Sequence, residues 1–324
     1  MSVFHRIPVL VVTGFLGAGK TTFLNWLIRT HRHLKLALVE NEFGTISIDR
    51  ELVVGVRSEN IYDLSNGCIC CSISNEFAIT LLDLADQAGN IDYLLIETTG
   101  VADLSNVIRP FFTEKDLMDR FIYQGSICLV DALNDDEQLK GNEQQMQIIL
   151  SDLLLINKSN EVGEEKLAEL ERLLLAYNSS AKLQRTEFGQ ADDFKLELFG
   201  EEVRGIIEKK LARPVMFRRI ESKKYTTFTH KFEGELNLAR FQHWFYYFAA
   251  ISQLDIYRIK GVLFPENSID KVIVQSVGGT VSYSPGSMIT PGEEKMNTLV
   301  FIGKAIDSDR IVSELEEYLS EESF

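Results

Sequence analysis

Two glycines separated by four residues and followed by lysine and threonine lie close to the amino terminus, from Gly14 to Thr21. This spacing is typical of the P-loop, in which backbone N–H groups surround the phosphates of a nucleotide. A short β-branched run at residues 8–13 precedes the glycines, and apolar residues at helical spacing follow them as far as residue 28. A strand, a glycine loop and a helix in this order aim a helix N-terminus at one anion. The sequence therefore predicts a phosphate-binding site rather than a chance glycine-rich turn.

The side chains of this loop have distinct predicted roles. Lys20 would reach the β- and γ-phosphates of a nucleotide, and the Thr21 hydroxyl would bind Mg²⁺. Glycine permits close backbone approach to the phosphates and dihedral angles that other residues avoid. The predicted nucleotide-binding residues of this segment are Gly14, Gly17, Ala18, Gly19, Lys20, Thr21 and Thr22.

A second candidate group follows the apolar run at residues 93–96, which predicts a buried strand. Glu97 ends this strand, and Gly100 comes three residues later. In P-loop enzymes an acid at this place holds Mg²⁺, often through a water, and a glycine lets its N–H approach the γ-phosphate. The alternative is an ordinary acid that caps a loop. Because a P-loop lies upstream, we expect Glu97 and Gly100 to belong to the nucleotide site.

Asn157, Lys158 and Asn160 match most of the Asn-Lys-x-Asp pattern that reads guanine, in which lysine stacks on the base and the carboxylate accepts its N–H groups. The last position here is Asn160, whose amide offers one acceptor and places an N–H₂ group where a second acceptor is wanted. An unmatched buried donor costs about 1–3 kcal/mol, which is enough to lower guanine preference about tenfold. The alternative is a turn after a strand, for which asparagine and serine are well suited.

Three cysteines in four positions, Cys68, Cys70 and Cys71, form the other distinctive group. Three thiolates can bind one soft ion with a fourth ligand from elsewhere, and Zn²⁺, Co²⁺ and Cu(I) all suit such a site. A buried apolar turn and a redox switch are the alternatives, and the polar neighbours of the cysteines argue against full burial. Cys128 lies within a predicted strand, where we expect it to pack in the core.

The elements that must position these residues follow an alternating pattern. Short apolar strands alternate with amphipathic helices from residue 1 to about residue 220, which predicts an α/β P-loop NTPase domain with a mostly parallel sheet. In such sheets the ligand binds at the carboxyl ends of the strands. The polar residues Glu40, Glu97, Asp131 and Asn157 all fall at predicted strand ends. We therefore expect these side chains to lie along one edge of the sheet.

The remaining residues are predicted to form a separate, small α+β domain, because unpatterned charged residues precede them and alternating strands follow. We place the boundary between a GTPase-like domain at 1–220 and a carboxyl-terminal domain at 221–324. An aromatic run at residues 241–248 lies on a predicted helix. It belongs either to the core of this domain or to a surface that binds a client protein.

The composition argues against several classes of partner. The formal net charge is −15, which disfavours binding of nucleic acid or of an acidic membrane by bulk electrostatics. The sequence has no apolar span long enough to cross a bilayer. Its four cysteines, three of them clustered, favour metal or redox chemistry in a reducing compartment over a disulfide framework. We therefore expect a cytoplasmic protein with no nucleic-acid and no membrane partner.

Five motifs in this order resemble those of the CobW-like GTPases, a family of metallochaperones. The motifs lie at residues 12–22, 41–44, 67–71, 97–100 and 157–158. Residues 258–261 and 300–303 are similar to the carboxyl-terminal domain of the same family. The chain departs from the family pattern at Thr45, where an acid is common, and at Asn160, where the family has aspartate.

The resemblance implies a slow GTPase that binds GTP and Mg²⁺, holds Zn²⁺, Co²⁺ or a similar ion and delivers it to a client metalloprotein. It places Asp49 in the first switch near Mg²⁺, where Thr21 and Glu97 also lie. The predicted catalytic group is therefore Lys20, Asp49 and Glu97. The resemblance also suggests a homodimer whose formation depends on nucleotide or metal.

We interpret the cysteine triad and the nucleotide site as coupled, because the triad lies in the sequence between two segments that respond to the γ-phosphate. The three thiols, with Glu40 or Glu42, would hold the ion in one nucleotide state and release it in the other. Two other functions stay open at this point. One is a P-loop kinase that phosphorylates a small molecule, and the other is a nucleotide switch or scaffold with a structural zinc.

Overall fold

The computed structural model describes residues 6–41, 61–63, 73–87, 91–100, 103–134, 139, 141–212, 220–221, 226–252, 256–277, 279–304 and 306–320. The chain divides into two compact units. The first consists of Met1–Arg172 and Ala181–Gly200, and the second of Leu173–Ser180 and Glu201–Phe324. The domain boundary that the sequence predicts at residue 220 stays a prediction.

Seven strands of the described residues form one parallel sheet in the first unit. They are β1 (Ile7–Gly14), β2 (Leu36–Asn41), β3 (Ile61–Asp63), β4 (Tyr93–Thr98), β5 (Phe121–Asp131), β6 (Leu153–Asn157) and β7 (Lys182–Arg185). Their order across the sheet is β3-β2-β4-β1-β5-β6-β7. The predicted α/β class with a mostly parallel sheet is therefore confirmed.

Helices alternate with these strands along the chain. They are α1 (Lys20–Thr30), α2 (Ile73–Gln87), α3 (Leu104–Ile108), α4 (Pro110–Thr113), α5 (Lys115–Arg120), α6 (Asn142–Leu150), α7 (Glu164–Tyr177) and α8 (Phe199–Ala212). Helical spacing of apolar residues after the P-loop and at residues 77–84, 161–177 and 200–213 predicted α1, α2, α7 and α8. It did not predict the four helices α3 to α6, which are 4 to 9 residues long. So few residues complete too few turns for an apolar period to stand out.

The central strands owe their conformation to burial on both faces. In β6 all residues are buried, and in β1 all residues from the third onward are buried. Such strands are continuous apolar runs without alternation, as is typical of parallel sheets covered by helices. The parallel registers pair Val12 with Glu97, Glu40 with Glu97, and Asp131 with Asn157. The carboxyl ends of the strands that carry the candidate residues are therefore adjacent.

The second unit contains a six-stranded antiparallel sheet of the described residues in the order β12-β11-β10-β13-β9-β8. Its strands are β8 (Ile220–Glu221), β9 (Thr226–Glu233), β10 (Ile256–Leu263), β11 (Asp270–Val277), β12 (Thr280–Met288) and β13 (Met296–Gly303). The helices α9 (Leu238–Ser252) and α10 (Ser308–Ser320) pack on it. The predicted α+β architecture of the carboxyl-terminal part is confirmed.

Most of the aromatic run on α9 lies in the core of this unit. Phe241, Trp244, Phe245 and Phe248 are buried in one hydrophobic cluster with residues of the sheet and of α10. The core interpretation is therefore correct for these four side chains. Tyr246 and Tyr247 lie outside the cluster and are 68% and 54% exposed.

None of the four edge strands was predicted: β3 and β8 have only three and two residues, and the longer ones are β7 and β12. Both are polar, and their residues are mostly half-buried or exposed. An edge strand makes hydrogen bonds on one side and need not bury both faces, so its sequence lacks the apolar run that marks a central strand.

The helices of the described part of the chain are all too short or too polar to span a membrane.

Candidate functional site

The glycine loop between β1 and α1 adopts a conformation that few other residues could share. Gly14, Gly17 and Gly19 have φ values of 138°, 80° and 97°. These angles are strained for residues with a Cβ atom. The Ala18 N–H donates a hydrogen bond to the Phe15 carbonyl at 3.2 Å, which closes the turn. The loop then enters α1, whose first residue is Lys20.

Lys20 is the charged centre of the loop. Its side chain is 9% exposed, and Nζ donates to the Gly14 carbonyl at 3.0 Å. A second carbonyl, that of Phe15, lies 3.4 Å from the same atom. The ammonium group is therefore held over its own loop, next to the N-terminus of α1. A buried cation beside a helix N-terminus favours a polyanion such as a nucleotide phosphate chain.

The turn after β4 contacts the P-loop directly. A Cβ atom on Gly100 would lie 2.7 Å from the Leu16 nitrogen, so only glycine fits there without a shift. Below it, the Thr98 hydroxyl donates to the Thr13 hydroxyl at 2.8 Å, and both side chains are fully buried. The Gln147 side-chain amide donates to the Gly100 carbonyl at 3.1 Å. Gly100 therefore lies against the loop, and Glu97 is the register partner of Val12 in the strand that leads into it.

Asn157 joins the two halves of the predicted site. Its Nδ2 donates to the Ala18 carbonyl at 2.9 Å, and its Oδ1 accepts from the Gly189 N–H at 2.9 Å. The Thr186 hydroxyl lies 3.3 Å from the same oxygen. The side chain is 2% exposed, so these bonds form away from water. One amide thus connects the P-loop to the segment after β6 and to the segment after β7.

Lys158 is held by a partner that the sequence motif does not contain. Its Nζ lies 2.5 Å from Oδ2 of Asp131, the last residue of β5. The other oxygen, Asp131 Oδ1, accepts from the Leu133 N–H at 2.9 Å. Lys158 also has a φ of 59° and a ψ of 31°, a left-handed conformation that is uncommon outside glycine. Asp131 therefore fixes the position of the lysine that would stack on a base.

Asp131, Thr186 and Gly189 have roles that the sequence analysis did not assign. Asp131 was placed at a strand end but without a partner. The register of β5 and β6 pairs Asp131 with Asn157, and this pairing brings Asp131 close to Lys158. Thr186 and Gly189 follow β7. Because the sequence of β7 is polar, the strand was not predicted, and the turn after it was not assigned to the site.

Asn160 lies in a short 3₁₀ turn formed by Ser159–Glu161, and its side chain is exposed. It is therefore free to approach a base without displacing core residues. Its role in reading the base stays a prediction. The same holds for the binding roles assigned to the residues of the P-loop and to Glu97, Gly100, Asn157 and Lys158.

Most of the predicted metal site lies outside the described residues. This applies to Cys68, Cys70, Cys71, Glu42 and Asp49. Within the described residues there is no group of three histidine, cysteine, aspartate or glutamate side chains that could hold a metal ion.

The described ranges include Glu40, which was predicted to bind the transition metal, and Cys128, which was predicted to pack in the core. The backbone of Glu40 is described and lies next to Glu97 in the sheet. Cys128 is buried in β5, and this burial raises the pKa of its thiol to about 12. Cys128 is therefore an inert core residue, as expected.

The described residues fit a nucleotide. A Cβ atom at Gly19 would lie 2.4 Å from Asn157 Nδ2, so glycine at this position lets the Asn157 side chain reach the loop. The Thr99 hydroxyl, in the turn that contacts the P-loop, is buried and has no hydrogen-bond partner within the described part of the chain. A buried hydroxyl of this kind is expected to bond a ligand or water. Thr21 is the second residue of α1, next to Lys20, where its hydroxyl could meet a metal bound to phosphate.

Comparison with known proteins agrees with this geometry. Residues 8–185, more than half of the chain, match the CobW/HypB/UreG nucleotide-binding domain. The chain belongs to the CobW/HypB/UreG family. Residues 225–319 also match the carboxyl-terminal domain of the cobalamin synthesis protein CobW. The CobW assignment thus extends to the second unit, as the sequence motifs implied.

Among the relatives of this CobW-family chain is the zinc chaperone YjiA of Escherichia coli, 43% identical over 194 residues, or 58% of this chain and 60% of YjiA. Another is the zinc-regulated GTPase metalloprotein activator 1 of Schizosaccharomyces pombe, 30% identical over 223 residues, or 65% of this chain and 54% of that protein. The matches thus span little more than half of each relative. The crystal structure of Zn(II)-bound YjiA GTPase from E. coli covers 98% of this chain, and the chain covers all of it, with a TM-score of 0.68 and 24% identity. This likeness supports the fold.

Proposed function

We propose that this CobW-family chain is a GTP-binding and slowly GTP-hydrolysing metallochaperone. It binds a transition metal such as zinc at Cys68, Cys70 and Cys71 and passes it to a client metalloprotein. The observation that carries the nucleotide part is the Asn157 side chain, which bonds both the P-loop and the segment expected to face the base. The metal part is supported by relatives named zinc chaperones. The client, a nucleotide- or metal-linked homodimer and the cytoplasmic location stay predictions.

The chain's own residues suggest how hydrolysis would proceed. The P-loop N–H groups and Lys20 hold the triphosphate so that a water can attack the γ-phosphorus in line. Lys20 stays close to the charge that develops on the bridging and terminal oxygens. Thr21 and Glu97, with Asp49, would hold Mg²⁺, which supplies further neutralisation of that charge when bound. Asp49 is the first candidate to position the water.

The sheet register supports communication between nucleotide and cargo metal. Glu40 near the end of β2 is the register partner of Glu97 in β4, so the residue proposed for the cargo metal adjoins the residue proposed for Mg²⁺. The chain that carries the cysteines connects these two strands. A change at the γ-phosphate would therefore reach the cargo site through adjacent strand ends. Reciprocity requires that zinc change the affinity for nucleotide by the same factor that nucleotide changes the affinity for zinc.

The test of this function compares zinc capture and zinc transfer between two matched variants. We expect Cys68→Ala/Cys70→Ala/Cys71→Ala to lose zinc binding that competes with a chelator and to fail to load a zinc-requiring acceptor. Cys128→Ala should keep both activities, because that thiol is buried and protonated. In the parent, zinc affinity should differ about tenfold between the GTP and GDP states, a coupling of about 1.4 kcal/mol.

Other results would support other functions. Zinc that resists chelation equally in every nucleotide state would indicate a structural site. A phosphorylated small molecule recovered with the GDP would indicate a kinase. Transfer by the triple variant at the parental rate would reject the metallochaperone proposal.

Base preference gives a separate prediction. Asn160→Asp should raise the ratio of kcat/KM for GTP over kcat/KM for ATP about tenfold, because a carboxylate accepts both N–H groups of guanine and an amide accepts one. Preference for XTP over GTP should fall in the same variant. Asn267→Asp adds the same charge on an exposed turn of the second unit and should leave both ratios unchanged. An unchanged ratio in Asn160→Asp would show that this side chain does not read the base.

A further inference from the structure

Two neighbouring cavities lie between strand β9 and helix α10 in the second unit. Their volumes are about 600 and about 560 Å³. Both are lined by His230 of β9 and Glu316 of α10, which stand where the two cavities meet. We call this pair of cavities, with His230 and Glu316 at its centre, the β9–α10 groove.

His230 has a buried nitrogen atom that a ligand in the β9–α10 groove could bond. Its side chain is 7% exposed, and its Nε2 is buried without a hydrogen-bond partner in the described part of the chain. A buried polar atom without a partner is costly unless something else bonds it. The ring stacks between Phe228 and Phe232, with centroid distances of 6.4 and 5.3 Å and interplanar angles of 20° and 24°. The groove thus contains a ladder of three aromatic rings with one unused nitrogen.

The charges around this ladder are mostly negative. Glu233 and Glu266 line the larger cavity, Asp309 lines the smaller one, and Glu316 lines both. Among the described residues none of these four carboxylates has an ion-pair partner.

The other charged residues of the two cavities leave the β9–α10 groove mostly negative. The other acid of the larger cavity, Glu235, is paired with Lys295. The cations are Arg240 in the larger cavity and Lys231 in the smaller. Burial lowers the pKa of His230, although Glu316 raises it in part, so the imidazole is uncharged at neutral pH and does not repel a cation.

We propose that the β9–α10 groove binds an extended basic segment of a partner protein, with one arginine or lysine side chain in each cavity. Aromatic faces attract cations, and carboxylates bond the guanidinium fork or the ammonium group. In an extended peptide, alternate side chains point to the same side and stand about 7 Å apart, which suits two adjoining cavities. The unused Nε2 accepts a hydrogen bond from the guanidinium when the ring proton is on Nδ1. The same charges repel acidic peptides and nucleic acid.

The test uses the full chain and a fluorescein-labelled seven-residue peptide in which arginine alternates with valine. We expect saturable binding by fluorescence anisotropy, and no binding of the matched peptide in which glutamate replaces arginine. Glu316→Lys reverses the charge that both cavities share and should weaken binding at least about tenfold. Glu317→Lys makes the same change at the next residue of α10, which lines neither cavity, and should weaken binding less than twofold. Thermal unfolding checks that both variants fold.

A second variant tests the role of the imidazole. His230→Phe keeps a ring between Phe228 and Phe232 but removes Nε2, and it should weaken binding of the arginine peptide more than that of a lysine peptide. Equal losses in Glu316→Lys and Glu317→Lys would show attraction by net charge alone and would overturn the proposal. Absence of peptide binding would overturn it as well. A concentration-dependent dimer of the parent that Glu316→Lys abolishes would assign the groove to a second copy of this chain instead.

Discussion

Replacing Gly14 with alanine is expected to abolish nucleotide binding and to lower the free energy of unfolding by about 3 kcal/mol or more. A Cβ atom at this position would lie 2.3 Å from the Leu129 carbonyl oxygen and 2.9 Å from the Leu129 nitrogen. Both are backbone atoms of β5, which is held between β1 and β6, so they cannot move aside without breaking strand pairs. The φ of 138° adds strain for any residue with a Cβ.

The same change would also displace Lys20, the proposed catalytic lysine. Lys20 Nζ donates to the Gly14 carbonyl, so a shift of this peptide moves the ammonium group away from the phosphates. Urea unfolding of the nucleotide-free protein and titration with a fluorescent guanine nucleotide measure the two effects.

Gly17→Ala is the matched control for stability. Gly17 also has a positive φ, of 80°, but a Cβ there would meet nothing within 4 Å. Only the dihedral strain of about 1–2 kcal/mol should remain. If Gly14→Ala unfolded at the same urea concentration as Gly17→Ala, that result would contradict the close contact between Gly14 and β5.

Asn157→Asp is expected to lower guanine nucleotide affinity about 100-fold, or close to 3 kcal/mol, although it changes only one side-chain group. The introduced oxygen would face the Ala18 carbonyl where Nδ2 now donates at 2.9 Å, so a hydrogen bond becomes a repulsion between two acceptors. The Oδ1 atom could still accept from the Gly189 N–H. The P-loop would therefore separate from the base side of the site while the turn after β7 stays in place.

Nucleotide titration over a range of pH provides the measurement. Affinity should recover partly as the pH falls, because the protonated carboxyl can again donate to the carbonyl. Asn160→Asp makes the same chemical change at an exposed position three residues away and should not weaken GTP binding. A loss of equal size in both variants would mean that added charge, rather than the broken bridge, causes the effect.

The spacing of residues in the sequence was sufficient to predict the class of the fold and the glycine loop between its first strand and its first helix. A P-loop is built from contacts within a few residues, such as the bond from the Ala18 N–H to the Phe15 carbonyl, so its glycines and lysine are enough to specify it. Central strands such as β6 are apolar throughout because they are buried on both faces. The strand ends followed from these two features: Glu97 is paired with Val12 of β1, and Gly100 contacts the loop, while their roles in binding stay predictions.

Only the tertiary structure decided how distant polar residues are paired. The amide of Asn157 bonds a carbonyl 139 residues earlier in the chain, and Lys158 pairs with an aspartate 27 residues earlier. These partners depend on the order of strands in the sheet and on the turn after the polar edge strand β7, and neither leaves a local pattern. The sequence likewise gives no indication that Nε2 of His230 is buried without a hydrogen-bond partner among the described residues. Periodicity reports which face of an element is buried, whereas hydrogen-bond partners are set by which elements lie side by side.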